Sequence, residues 1–310
     1  MSKNFDLKTR DMSKAAHILL SKDQREGAIS FSTVATVLER FEHFKRFAKE
    51  KGVARFERVS SELVRSYAQH LKKRKFKKRN LSAAYAANML SAVNSVMSRA
   101  HSHNGTKWIP VTGREVGLER RKRTRTTKTV TREQSSKAIE QLSPRAAAIA
   151  NLARELGLRS KEASLINAKK ALADATNNSF VAIEAGTKGG RYREVPITNP
   201  KQIEALRNAA EVQSDDHHSL VPPEQTWAQF REGELRDGRE VLKKHGVAGY
   251  HQLRTAYAAG RYHELTGQPA PVNGGKIDDK DVDLDSRLQI SSELGHGRAE
   301  VLNSYVGSKK

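Results

Sequence analysis

Two residues late in the sequence could do chemistry together: His296, directly after Leu294-Gly295, and Tyr305, nine positions on. A tyrosine hydroxyl attacks a phosphodiester only if it can shed its proton and if cations take up the charge that builds on phosphorus. With an ordinary pKa near 10, only about one tyrosine in a thousand is phenolate at pH 7. The sequence offers candidate helpers in four places. Arg159 follows Gly157-Leu158, with Glu162 three residues on, and Lys188 stands beside Gly189-Gly190. His251 and Arg254 are spaced to share one helix face. A guanidinium fork suits the non-bridging oxygens of a phosphate because it can donate two hydrogen bonds at once. Each piece also has a plainer explanation. Tyr305 could pack into a core after a Gly turn, Arg159 and Glu162 could be a surface ion pair, Lys188 a solvated turn residue, and His251 a satisfied helix-start histidine.

The elements that would position these groups come next. Ser32 to Lys51 carries Val34, Val37, Leu38, Phe41, Phe44 and Phe47 at the spacing of one helix face, and Gly52 closes it. Leu63, Val64, Tyr67, Ala68 and Leu71 make a second stripe, capped by Ser60 or Ser61. A third helix starts at Ser82 and runs through Tyr85, Met89, Leu90, Val93, Val96 and Met97. Residues 1–108 therefore read as a four- or five-helix bundle. Gly105, Pro110, Gly113 and Gly117 then break the pattern, so that 109–130 reads as a basic linker and 131–310 as a second domain.

In that second domain, Thr131 to Gln134 has the form of a capping box, and Ser143-Pro144 starts an Ala-rich helix that ends near Glu155. Ser179–Ile183 and Tyr192–Ile197 are strand-like, joined by a turn at Thr187 to Gly190. Pro200 onward, Thr226–Lys244 and Tyr250–Gly260 read as helices, whereas Gly267 to Asp285 reads as an acidic loop. The fold class expected is mainly α with a small antiparallel β hairpin.

Composition bounds the partners. Lys plus Arg number 56 against 35 Asp plus Glu, a formal net charge of +21, which favours a polyanion and above all nucleic acid. The basic runs Lys72, Lys73, Arg74, Lys75, Lys77, Lys78, Arg79 and Arg120, Arg121, Lys122, Arg123, Arg125 are the candidate phosphate contacts, with solvated turns as the alternative. There is no cysteine, which excludes disulfides and thiolate metal sites and suits a reducing cytosol. Neither a signal peptide nor a membrane span is expected. Asp215-Asp216-His217-His218 is read as a polar loop before Pro222-Pro223 rather than a metal cluster. The run from Asp281 fails as a calcium loop, having Ser286 at position six and Ser292 at position twelve.

In this order, Gly157-Leu158-Arg159-Ser160-Lys161-Glu162, Thr187-Lys188 leading into Arg193 to Ile197, His251-Gln252-Leu253-Arg254, Leu294-Gly295-His296 and Tyr305 resemble the tyrosine recombinase (phage integrase) family. The resemblance covers most of 131–310, and the helical N-terminal part is similar in layout to the family's SAM-like core-binding domain. It implies Arg159, Arg254 and His296 on the scissile phosphate and Tyr305 as nucleophile. His251 would help to take the tyrosine proton, Lys188 would protonate the leaving 5′ oxygen, and Glu162 would orient the network. The implied product is a 3′-phosphotyrosyl link that stores the bond energy, so no metal, ATP or other cofactor is expected.

The implied partners are double-stranded DNA with specific sites, a homotetramer in synapsis and accessory DNA-bending or directionality factors. The implied setting is a mobile genetic element acting on DNA in the cytoplasm, on the nucleoid. The sequence departs from the family pattern in three ways: Thr255 follows the second Arg, the stretch from Arg254 to His296 is long, and only five residues follow Tyr305. The rival readings are a type IB topoisomerase, a non-catalytic site-specific DNA-binding factor and a general RNA-binding protein. The first tends to carry Lys where His251 stands, and the last explains the charge but not the ordered set.

Overall fold

The computed structural model describes residues 3–74, 81–118 and 124–308. By internal contacts the chain divides into two compact units, Met1–Lys122 and Arg123–Lys310. The first unit is helical: α1 (Met12–Arg25), α2 (Phe31–Glu50), α3 (Ser61–Arg74) and α4 (Ala83–His103). Asp11, Ser30 and Ser82 cap α1, α2 and α4 by accepting hydrogen bonds from first-turn amides. The stripe on α2 buries Phe41 and Phe44 completely, and Tyr67 of α3 stacks edge-on to Phe44 with ring centres 5.2 Å apart. Each such side chain contributes roughly 1.5–3 kcal/mol by leaving water.

This core also takes in Trp108, Val111, Val116 and Leu118. Asn94 on α4 fixes that extension: its Oδ1 accepts from Trp108 Nε1 and the Val111 amide, and its Nδ2 donates to the Val111 carbonyl. The packed unit thus runs past residue 108, where a linker is expected from sequence.

The second unit contains α5 (Arg132–Ile139), α6 (Pro144–Glu155), α7 (Ser160–Leu165), α8 (Ala168–Asn178), β1 (Phe180–Ile183), β2 (Arg193–Pro196), α9 (Pro200–Val212), α10 (Trp227–Glu232), α11 (Glu234–Lys244), α12 (Tyr250–Thr266), α13 (Lys280–Glu293) and α14 (Asn303–Val306). Helix α6, buried through Ile149, Leu152 and the alanines around them, packs against α9 and α12. The strands pair antiparallel with Val181 opposite Val195 and Ile183 opposite Arg193. The mainly helical class with one small hairpin is thus observed.

Three expectations change. The helix expected over Thr226–Lys244 is two helices, broken at Gly233. Helix α8 occupies a stretch with no expected element; Asn167 caps it. The last six residues of the acidic loop expected over Gly267 to Asp285 are instead the start of α13: Asp279 caps it, and Asp281 and Asp283 lie in its first turn, where carboxylates favour the positive end of the helix dipole. No helix of the described residues is long and apolar enough to cross a membrane.

Candidate active site

Gly157 is where the site begins. It ends α6 with φ +65°, and a Cβ there would stand 2.5 Å from the ring of Tyr257, so only glycine makes this turn. The turn aims the Gly157 carbonyl at Arg254 and delivers Arg159 to the N-terminus of α7. Arg254 is fully buried on α12. Its guanidinium donates to the carbonyls of Gly157 and Leu294, the latter at 2.5 Å, and its Nε reaches the Tyr305 hydroxyl at 3.4 Å. Arg159 Nη2 lies 3.4 Å from the same Leu294 carbonyl.

Glu162 holds these cations in place. It is wholly buried, and its carboxylate accepts from Arg159 at 2.6 Å and from Arg193 at 2.6 and 3.1 Å, with Arg254 3.7 Å away. Burial alone would raise its pKa, but Arg193 and Arg159 outweigh that and hold the carboxyl below its usual range. Its second oxygen also accepts the Arg159 amide, which closes the first turn of α7.

His296 follows α13 at Gly295 and is fixed by its own amide, which donates to the Ser291 carbonyl at 2.7 Å. Its Nε2 is 3.2 Å from the Tyr305 hydroxyl. Burial and then the charges of Arg254, Arg159, Arg193 and Lys188 push its pKa down to about 4. Tyr305 is buried in α14, with the His251 ring edge-on at 5.6 Å and the Arg254 guanidinium 5.8 Å from its ring centre. Burial, with Arg254, Arg159 and Arg125 nearby, lowers the pKa of His251 as well. Both histidines are therefore neutral at pH 7; the tyrosine hydroxyl meets Arg254 and His296, while His251 packs against its ring.

The structure thus brings together six of the singled-out side chains: Arg159, Glu162, His251, Arg254, His296 and Tyr305. Lys188 stands apart, exposed in the turn between β1 and β2, with no hydrogen bond to the others; it acts on His296 through charge alone.

Of the basic residues singled out for DNA, Lys75, Lys77, Lys78, Arg79, Arg120, Arg121, Lys122 and Arg123 lie outside the described residues, as does the side chain of Arg74. Lys73 is exposed and Lys72 half-buried. Arg125 is not part of a free connector. Its amide donates to the Asn303 carbonyl at 2.8 Å, its Nη2 donates to the Lys128 carbonyl, and it lines a cleft of about 410 Å3 beside His251.

Two arginines at the site escaped the sequence reading as functional residues. Arg193 faces inward on β2 beside Val195, and a charged residue on the buried side of a period-two strand is the signal that could have marked it. Arg287 on α13 is buried; its Nε donates to both oxygens of Asp283, and its Nη1 donates to Asn303 Oδ1 at 3.0 Å and the Gly307 carbonyl at 3.1 Å. It therefore grips the chain on both sides of Tyr305.

In the loop read as polar, Asp215 pairs with Lys169, and His218 bonds Asn167. Among the described residues no group of three or more His, Asp or Glu is placed to hold a metal ion.

Residues 117–260 match the family model described as Integrase. No curated protein matches the chain. Among solved structures, the Tn1549 transposon integrase in complex with circular intermediate DNA is similar at 12% identity, over 95% of this chain and 96% of that one, with a TM-score of 0.59. A lambda integrase dimer bound to a COC′ core site is similar at 14% identity, over 95% of each chain, with a TM-score of 0.55. A lambda integrase tetramer bound to a Holliday junction is similar at 16% identity, over 92% of this chain and 76% of that one, with a TM-score of 0.53. At these identities the structural likeness is one of fold.

Proposed function

We infer that the chain is a tyrosine recombinase of the integrase family that cuts and rejoins DNA at specific sites. The observation that carries the reading is the Tyr305 hydroxyl held between Arg254 and His296, with Arg159 sharing the Leu294 carbonyl that Arg254 also binds.

In the reaction we propose, the Tyr305 oxygen forms a bond to the scissile phosphorus as the bond from phosphorus to the 5′ oxygen breaks. Arg159 and Arg254 take the two non-bridging oxygens, where bidentate donation neutralises charge as it develops; losing one such donor typically costs on the order of 3 kcal/mol. His296, held neutral by burial and the surrounding cations, adds an N–H donor. His251, also held neutral, is ready to take the tyrosine proton. Lys188 gives its proton to the leaving 5′ oxygen, which requires the turn between β1 and β2 to close over the DNA. The 3′-phosphotyrosyl link keeps the bond energy, and a 5′ hydroxyl from a second duplex reverses the step. Glu162 stays ionised throughout and keeps Arg159 and Arg193 in register.

We propose a finer reading beside that chemistry. The first compact unit, built on 1–108 and packed on to Leu118, serves as the core-binding domain, and 131–310 as the catalytic domain. Four copies pair two DNA sites, with accessory DNA-bending or directionality factors, and the setting is a mobile element acting on the nucleoid in the cytoplasm.

A nicked substrate that loses a short fragment on cleavage tests the central claim. Tyr305→Phe should bind the site with parental affinity and form no covalent adduct. An adduct that survives in this variant would remove Tyr305 from the mechanism.

A further inference from the structure

Two surfaces of the second unit have no part in the reaction above, and each supplies what the other lacks. The first is the outer face of α13. Val282, Leu284 and Leu288 are 41%, 49% and 46% exposed there, and the exposed Asp281 and Asp285 stand between them on the helix surface. Among the described residues neither aspartate has an ion-pair partner. Exposed apolar side chains grouped on one helix face mark a contact surface more often than chance.

The second surface is a cleft of about 420 Å3 on the far side of α12. Its floor includes Val130, Ala256, Ala259 and Ala270, and its rim carries the cations Lys128 and Arg154, with His263 beside them. Arg154 Nε is buried without a hydrogen-bond partner among the described residues, and the cleft's other arginine, Arg132, is already engaged by Glu155. A buried guanidinium N–H without an acceptor is costly, and an incoming carboxylate would satisfy it.

Helix α12 stands between the two surfaces. Tyr257 and Arg261 bond Glu293, and Tyr262 bonds Asp283, so that side of α12 faces α13. Ala256, Ala259, Gly260 and His263 lie on the opposite side and line the cleft. One copy cannot close its own pair of surfaces across this helix, but a second copy can.

We propose that the acidic and apolar face of α13 in one copy docks into the cationic cleft behind α12 of the next. The contact is head to tail, so its repetition propagates from copy to copy and closes into a ring when the rotation allows. The apolar floor favours a protein face over DNA, because a phosphate backbone has nothing to cover it. Opposite charge across the contact fixes which surfaces meet. The inference rests on the recombinase reading only in that several copies act together on DNA.

The test is a pair of charge-reversed variants. The first carries Asp281→Lys with Asp285→Lys, and the second carries Lys128→Glu with His263→Glu; all four positions are exposed. Each variant should bind a single DNA site like the parent and form the covalent complex on a nicked single-site substrate. Each alone should assemble about tenfold less of the complex that holds two duplexes, read by native gel or sedimentation. An equimolar mixture should restore assembly, because alternating copies place every reversed face against a reversed cleft and every parental face against a parental cleft. Parental assembly by either variant alone, or a mixture no better than its parts, overturns the interface. Loss of single-site affinity in the cleft variant also overturns it, by assigning the cleft to DNA. Should the parent itself form no covalent complex, the recombinase reading fails; an intact covalent step with unaltered assembly sinks the interface alone.

Discussion

Glu162 is the residue on which the charged core depends. A carboxylate at zero exposure is tolerated only when its charge is matched and its lone pairs are filled, and three arginines do both. The same cations that steady Glu162 act in the opposite sense on His296. Its pKa of about 4, against about 6.5 for a free histidine, means the fold prefers the neutral ring. The linkage has a definite sign. The stabilisation from neutral His296 is complete above pH about 6.5, and it drains away as pH falls towards 4, by at most about 3 kcal/mol. Melting curves of the DNA-free protein across that window should therefore fall more steeply for the parent than for His296→Gln. Parallel profiles would show that His296 titrates like a solvated histidine. Much of this was legible in residues: Arg159 behind a Gly turn, Arg254 three positions after His251, and His296 before Tyr305. The length of chain between these groups gave no distance, however, and the role of Arg193 was hidden because a strand of four residues is too short for its alternation to stand out.

At the scale of elements, α13 is the helix on which the site turns. The sequence concealed its start, because a run of aspartates broken by Lys280 looks like a loop until the helix dipole is counted. From α13, Arg287 reaches across to Asn303 and Gly307 while stacking over Tyr262, so it acts as a positioning residue for the short helix that carries Tyr305. Arg287→Lys keeps a cation for Asp283 but loses the fork. Adduct formation should slow on the order of 10²-fold, the usual effect of misplacing a reacting group by about an ångström, with affinity for the DNA site unchanged. A second readout separates positioning from collapse. In a Tyr305→Phe background, cleavage driven by added hydrogen peroxide should be the same with and without Arg287→Lys, because the proposed phosphate grip of Arg159 and Arg254 would be untouched. Reduced peroxide cleavage would mean that Arg287 supports the phosphate site as a whole. The hairpin and the longer helices were legible because their patterns repeat; α8 and the break at Gly233 were not, because a few alanines or one glycine change the pattern little.

For the whole molecule, a net charge of +21 on two compact units speaks to association more than to fold. Each phosphate neutralised releases counterions, so binding should be steeply salt-dependent. With roughly 6–10 phosphates contacted, affinity for the DNA site should fall by about 10³–10⁵ between about 50 and 200 mM salt. Titrations by fluorescence anisotropy over that range check this, and a flat response would confine the contact to a few phosphates. The boundary between the units was only partly legible. Gly and Pro mark the region after residue 104, yet Val111, Val116 and Leu118 return to the first core, since isolated apolar residues between turns carry no periodic signal.

The burial of Tyr305 against its own chain has a consequence for inheritance. If Tyr305 is the nucleophile proposed above, a protomer that keeps it among its own Arg254, His251 and His296 would cut with its own tyrosine rather than a neighbour's. In a cell carrying one intact gene and one with Tyr305 replaced, the two products would compete for the same DNA sites but could not make good each other's defect. The defective allele would act as a dominant inhibitor, and its strength would rise with gene dosage.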